Sequence, residues 1–237
     1  MNTIRITLCL ALSLCVPTAS IFSAEADASF PASIVSSALP SALELVNVPT
    51  ELSVKEDGSI LMGASGHTNL FNSPNGVGVY TGAPMLLFPT SGDFTLSARI
   101  DAKLVNVYDV AALVMYVDGQ NWTKLCYELS AEKCPTVVSV VTRGISDDCN
   151  SEEIDTDFVY MAMCRRGQEC SFHFSRDGVK WKMVRHFRFE SSRMPRIGFA
   201  VHAAYGEGLS ASFSDIHYWT SAPANMRSLD LKLLSVE

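Results

Sequence analysis

Residues 110–117 read Val110-Ala111-Ala112-Leu113-Val114-Met115-Tyr116-Val117, and past Asp118-Gly119 the chain resumes as Trp122-Thr123-Lys124-Leu125-Cys126-Tyr127-Glu128-Leu129. The first run is apolar throughout, as in a strand covered on both sides. The second alternates. By period two Trp122, Lys124, Cys126 and Glu128 share one face, while Thr123, Leu125 and Tyr127 share the other. Asp-Gly at the joint carries turn chemistry, so the two runs read as neighbouring antiparallel strands.

The same texture extends outward. Residues 51–54 and 59–62 flank Asp57-Gly58, a hairpin signal. In 93–100, Phe94, Leu96, Ala98 and Ile100 fall on one face. Further strands are predicted at 136–143, 158–164, 170–175, 181–189, 196–202 and 209–219, joined at Arg166-Gly167, Arg176-Asp177-Gly178 and Gly206-Glu207-Gly208. No segment of helical length inside the domain holds a 3.6-residue period, so about ten strands with tight joints predict an all-β sandwich or barrel. Leu113, Leu125, Phe172, Phe174, Phe199 and Phe213 are its predicted core.

With 237 residues, 48% of them hydrophobic and 18% charged, the chain suffices for one sandwich domain. A formal net charge of −7 argues against a nucleic-acid partner, which requires a basic face to replace phosphate counterions. Arg165-Arg166 and the scattered Lys182, Arg185 and Arg188 read as solvated strand ends. Arg5, the apolar run 6–16 and the small residues around Ala19 and Ala24 have the form of an export signal. That run is too short for a membrane span. The chain therefore reads as a signal peptide over 1–26, a linker or short helix over 27–45, one domain over 46–220 and a tail over 221–237. A secreted or periplasmic location is expected. Of seven cysteines, Cys126, Cys134, Cys149, Cys164 and Cys170 remain after the signal, an odd number. Symmetry about Gly167 sets Cys164 opposite Cys170 as a possible disulfide. No zinc-ligand or phosphate-binding spacing occurs, so neither metal nor cofactor is expected.

The block Asp109-Val110-Ala111-Ala112-Leu113, Asp118, Trp122-Thr123-Lys124-Leu125-Cys126-Tyr127-Glu128 resembles a signature of the form D-x-A-G-L, D, W-x-K-x-x-x-E. It continues through Ser146-Asp147-Asp148, Phe172-His173-Phe174-Ser175-Arg176-Asp177-Gly178 with Trp181, Ile197-Gly198-Phe199 and Phe213-Ser214-Asp215. Over about 50–220 these segments look like the DUF1349 family, which includes the "regulation of enolase protein 1" group. The resemblance implies a concanavalin A-like jelly-roll sandwich of two antiparallel sheets, related to an accessory domain of some β-xylosidases. Ala112 stands where the family usually has Gly, and Ala162 where it often has Arg, which weakens any anionic-ligand reading. The fold itself supplies no reaction.

The candidate ligand-binding residues are Asp109, Trp122, Lys124, Glu128, His173 and His202. Lys124 and Glu128, about 13 Å apart along one strand, each need a cross-strand partner, for which His173 and His202 are candidates. In a functional reading, Trp122 stacks on a sugar ring while Lys124, Glu128 and a histidine bind its hydroxyls. In a structural reading, the charges form a satisfied network and Trp122 plugs the sandwich. Glycoside hydrolysis needs two carboxylates flanking one bond. Glu128 stands alone on its strand, and Glu152-Glu153-Asp155-Asp157 reads as a solvated, loop-like acidic run. The expected function is therefore non-catalytic carbohydrate binding. A hydrolase using Glu128 and a protein-interaction or regulatory module are the alternatives.

Overall fold

The computed structural model describes Phe30 and residues 33–234; the export signal expected over 1–26 lies outside the described residues. Every element below lies within Pro31–Glu237. In chain order its strands are β1 (Glu44–Val46), β2 (Leu52–Val54), β3 (Ile60–Ser65), β4 (Leu70–Asn72), β5 (Val79–Thr81), β6 (Met85–Pro89), β7 (Phe94–Ala102), β8 (Asp109–Asp118), β9 (Asn121–Leu129), β10 (Pro135–Arg143), β11 (Ile145–Glu153), β12 (Phe158–Arg166), β13 (Glu169–Ser175), β14 (Lys182–Arg188), β15 (Arg196–Ala203) and β16 (Gly208–Trp219). They form two seven-stranded sheets, β1-β6-β15-β8-β9-β10-β11 and β14-β13-β12-β7-β16-β3-β2, plus the β4–β5 ribbon. Every paired strand is antiparallel. This is the all-β sandwich read from the alternation. Among the described residues no helix is long and apolar enough to cross a membrane.

The inner faces meet in one apolar cluster that contains Leu113, Leu125, Phe172, Phe174, Phe199 and Phe213, all predicted for it. Strand β8 is covered on both sides. Ala111, Leu113 and Met115 face the other sheet, and Val110, Ala112 and Val114 lie in a second cluster on the outer face. A third cluster lies on the outer face of the second sheet, where Met226, Leu229 and Leu234 of the tail cover Ala162 and Cys164. The Leu-rich tail thus packs back through a short 3-10 turn, Leu231–Leu233, and not as a strand.

Within the stretch expected as a linker or short helix, residues 33–45 hold no helix, and Ile34 bridges Leu43, both joining the core. Several other local expectations are corrected. Glu152 and Glu153 end strand β11 and are not loop, and Glu152 pairs with Lys182 at 2.8 Å. Arg165 is buried, its Nε donating to the Gly167 carbonyl at 2.6 Å. The β12–β13 hairpin pairs Arg166 with Glu169, so Cys164 opposes Ser171 and Arg165 opposes Cys170. A two-residue loop has its symmetry axis between residues and not on Gly167. That half-residue shift puts Cys164 in the outer cluster and Cys170 in the core, and both are free thiols.

Candidate functional site: a walled pocket on the outer face of the first sheet

Strand register brings the outer-face residues together. Glu128 pairs with Val110, which pairs in turn with His202, so Glu128 and His202 share a row two strands apart. Lys124 sits four residues back on β9, and its Nζ reaches His202 Nε2 at 2.9 Å. Ala112 and Cys126, paired between them, are small enough to leave that path open.

Three non-local segments wall the face. Ribbon β4–β5 is anchored by Asn72, whose Nδ2 donates to the carbonyls of Gly119 and Gly144, each at 3.0 Å, and whose backbone amide donates to Ser146 Oγ at 2.9 Å. Loop 66–69 is zipped to 203–207, with Gly66 N donating to Glu207 O at 2.8 Å. A Cβ on Gly66 would fall 2.2 Å from the Gly206 carbonyl oxygen, which restricts that position to glycine. The turn before β8 is held by Asp109, whose Oδ2 accepts from the amides of Val105 and Asn106 at 3.0 and 2.8 Å.

Between these walls lies a cavity of about 520 Å³. Lys124, Glu128 and His202 line it from the sheet together with Asp148, and Tyr108, Tyr205, His67, Asn69, Phe71 and Tyr80 line it from the walls. Two of these, His67 and Tyr108, hold left-handed backbone at φ 61° and 64°. For a bulky side chain such a conformation persists only where surrounding contacts impose it, and it concentrates at ligand sites. The Tyr108 backbone is tied on both sides, donating to Leu129 O and accepting from Ala204 N. Its ring lies 5.7 Å from that of Tyr205.

The charged groups of the cavity are buried. Lys124 is 2% exposed and Glu128 8%, and among the described residues neither has an ion-pair partner within 4 Å. Burial pushes the Glu128 carboxyl up to about 7, against the pull of Lys124 and with a further push from Asp148. Burial, and then Lys124, hold His202 well below its ordinary value, against the Tyr108 carbonyl, which closes no hydrogen bond to Nδ1. The neighbouring Cys126 thiol is pushed up to about 12 by burial, which leaves it inert.

Of the six residues expected here, Lys124, Glu128 and His202 meet in the pocket. The other three do not. Trp122 is fully buried in the outer-face cluster beside Leu70, so no sugar can stack on it; it backs Lys124, whose Nζ lies 5.8 Å from its ring centroid. His173 belongs to the second sheet, buried, with its Nε2 3.0 Å from Ser171 Oγ. Asp109 is buried and supports the turn that presents Tyr108. Asp148 and the wall tyrosines were not singled out as ligands, because nothing local to 66–80, 108 or 205 tells which strand they would cover.

A family described as "Protein of unknown function (DUF1349)" matches residues 45–221. No curated protein matches the chain. Among solved structures, a functionally unknown protein from Saccharomyces cerevisiae is similar at 20% identity and TM-score 0.71, with 77% of this chain and 97% of that one covered. A GH43 protein from Bacillus licheniformis is similar at 14% identity and TM-score 0.61, over 75% of this chain and 36% of that one. A xylan beta-1,4-xylosidase from Bacillus halodurans is similar at 16% identity and TM-score 0.56, over 67% of this chain and 32% of that one. The chain thus spans about a third of each Bacillus protein, and at such identities the likeness shows the fold alone.

Proposed function

The chain belongs to the DUF1349 family, and from that premise we propose that it is a non-catalytic glycan-binding sandwich whose pocket on the outer face of the first sheet holds a sugar unit. The observation that carries this reading is the buried, mutually unpaired Lys124 and Glu128 facing one cavity beside His202. Lys124 gives one of its three donors to His202, and a ligand bearing adjacent hydroxyls would engage both charges: one hydroxyl accepts from a remaining Lys124 donor, and the next donates to Glu128. Tyr108 and Tyr205 supply aromatic surface at the mouth, in keeping with pockets that combine apolar walls and a few polar groups. The protein works outside the cytoplasm; Arg5 and the apolar run 6–16 support this part of the proposal. A glycan-array screen of the chain, followed by calorimetry on any hit, tests it. Tyr205→Ala, at a residue 70% exposed, is expected to weaken binding about tenfold with an unchanged melting temperature. Binding of no saccharide on a broad array would refute the reading.

One observation favours a second reading, a glycoside hydrolase. Glu128, held near 7, and Asp148 line the same pocket, and an acid with a raised pKa near a second carboxyl is the arrangement glycoside hydrolysis uses. Release of reducing ends from xylan or β-glucan, abolished by Glu128→Gln, would establish it over simple binding.

A further inference from the structure

A second cleft lies on the outer face of the other sheet, remote in sequence from the pocket residues. In β16, Ser214 pairs with Arg99 and His217 with Ser97, so three steps on one strand match two on its neighbour. The extra residue is a β-bulge, and Asp215 within it takes left-handed backbone at φ 47°. Strict alternation from the core residue Phe213 would have sent 215, 217 and 219 inward. The bulge instead gives Ile216 to the core and turns His217 and Trp219 outward.

There His217 stacks on Trp219, with ring centroids 5.5 Å apart and planes at 28°, and its Nε2 lies 2.8 Å from Asp215 Oδ1. Tyr160 and Trp181 join Trp219 around a cavity of about 260 Å³ that Leu231 of the tail also lines. The Tyr160 ring lies close over Gly178, at φ +72°, where a Cβ would fall 3.1 Å from it. Trp181 and Trp219 are half-buried and rest on the tail cluster. The cleft thus has aromatic walls, and along one edge an Asp215–His217 pair with both side chains about half exposed.

We propose that this cleft is a second saccharide site, taking one pyranose ring of a neutral oligosaccharide. The ring's apolar face lies against Trp181 or Trp219, and its hydroxyls bond to Asp215 and His217. Flat aromatic surface gives contact area at little cost in side-chain entropy, and a few polar groups at the edge set orientation. The site stands on its own observations, whatever the pocket beside Lys124 binds. With both sites filled, one molecule would hold two sugar units on opposite faces of the sandwich.

Calorimetric titration of the full chain with xylohexaose, cellohexaose and laminarihexaose tests this. For at least one of them, Trp181→Ala and His217→Ala are each expected to weaken a binding event about tenfold or more, while Glu128→Gln leaves that event in place. His217→Ala removes an exposed ring and keeps the test valid if Trp181→Ala fails to fold. A stoichiometry of two marks both sites, and a stoichiometry of one that is untouched by Glu128→Gln marks the cleft alone. Absence of heat with all three saccharides, or heat lost in Glu128→Gln and retained in both cleft variants, overturns the second site.

Discussion

Lys124 Nζ lies 2.9 Å from His202 Nε2, linking β9 to β15 across the intervening β8. A lysine head group donates, so Nε2 accepts and the imidazole proton resides on Nδ1. His202 is therefore expected to stay neutral as the Nδ1–H tautomer well below pH 6.5, where an exposed imidazole is protonated, and long-range proton–nitrogen NMR of the ring checks this. A ring titrating near 6.5 would contradict the contact.

Glu128 makes stability fall with rising pH. Its carboxyl rises from 4.5 to about 7 on folding, so the folded state holds that proton more tightly. The stabilisation is full below about pH 4.5 and is lost as pH rises through 7. Glu128→Gln removes this dependence and is expected to be more stable than wild type at pH 8, by up to about 3 kcal/mol. Urea midpoints at pH 5 and pH 8 measure it.

His173 acts in the opposite direction. Burial lowers it from 6.5 to about 4, so its contribution is full above pH 6.5 and is lost as pH falls toward 4. His173→Gln is expected to flatten the acid limb of a stability–pH profile, which His202 also shapes. An unchanged limb in that variant would count against a neutral, buried His173.

Trp122→Ala is expected to cost about 3–5 kcal/mol of folding stability, the usual range for emptying a buried aromatic site. Chemical denaturation of Trp122→Ala and Trp122→Phe measures it, with the Phe variant losing less. An alanine variant of wild-type stability would place the indole at the surface.

The thiols report the hairpin register. Native-state labelling is expected to modify exposed Cys149 first and half-buried Cys134 next, with Cys126, Cys164 and Cys170 reacting only on unfolding. Recovery of a peptide with Cys164 bonded to Cys170 would require a different register.

Alternation within the segment 122–129 was enough to determine that strand and its two faces. Leu125 and Tyr127 face inward and Trp122, Lys124, Cys126 and Glu128 outward, because the two-residue period of an extended chain assigns sides locally. It does not assign depth. Trp122 is buried and Glu128 lines a pocket only because β4–β5, 66–69 and 105–108, distant in the chain, close over that face. Register was equally beyond local reading. A half-residue shift in the axis of one turn moved Cys164 and Cys170 to opposite faces, and one extra residue at Asp215 moved Trp219 outward. Pairing between strands and covering by remote segments are set by the packing of the whole sandwich, so only the tertiary structure decided where the pocket lies and which remote segments wall it.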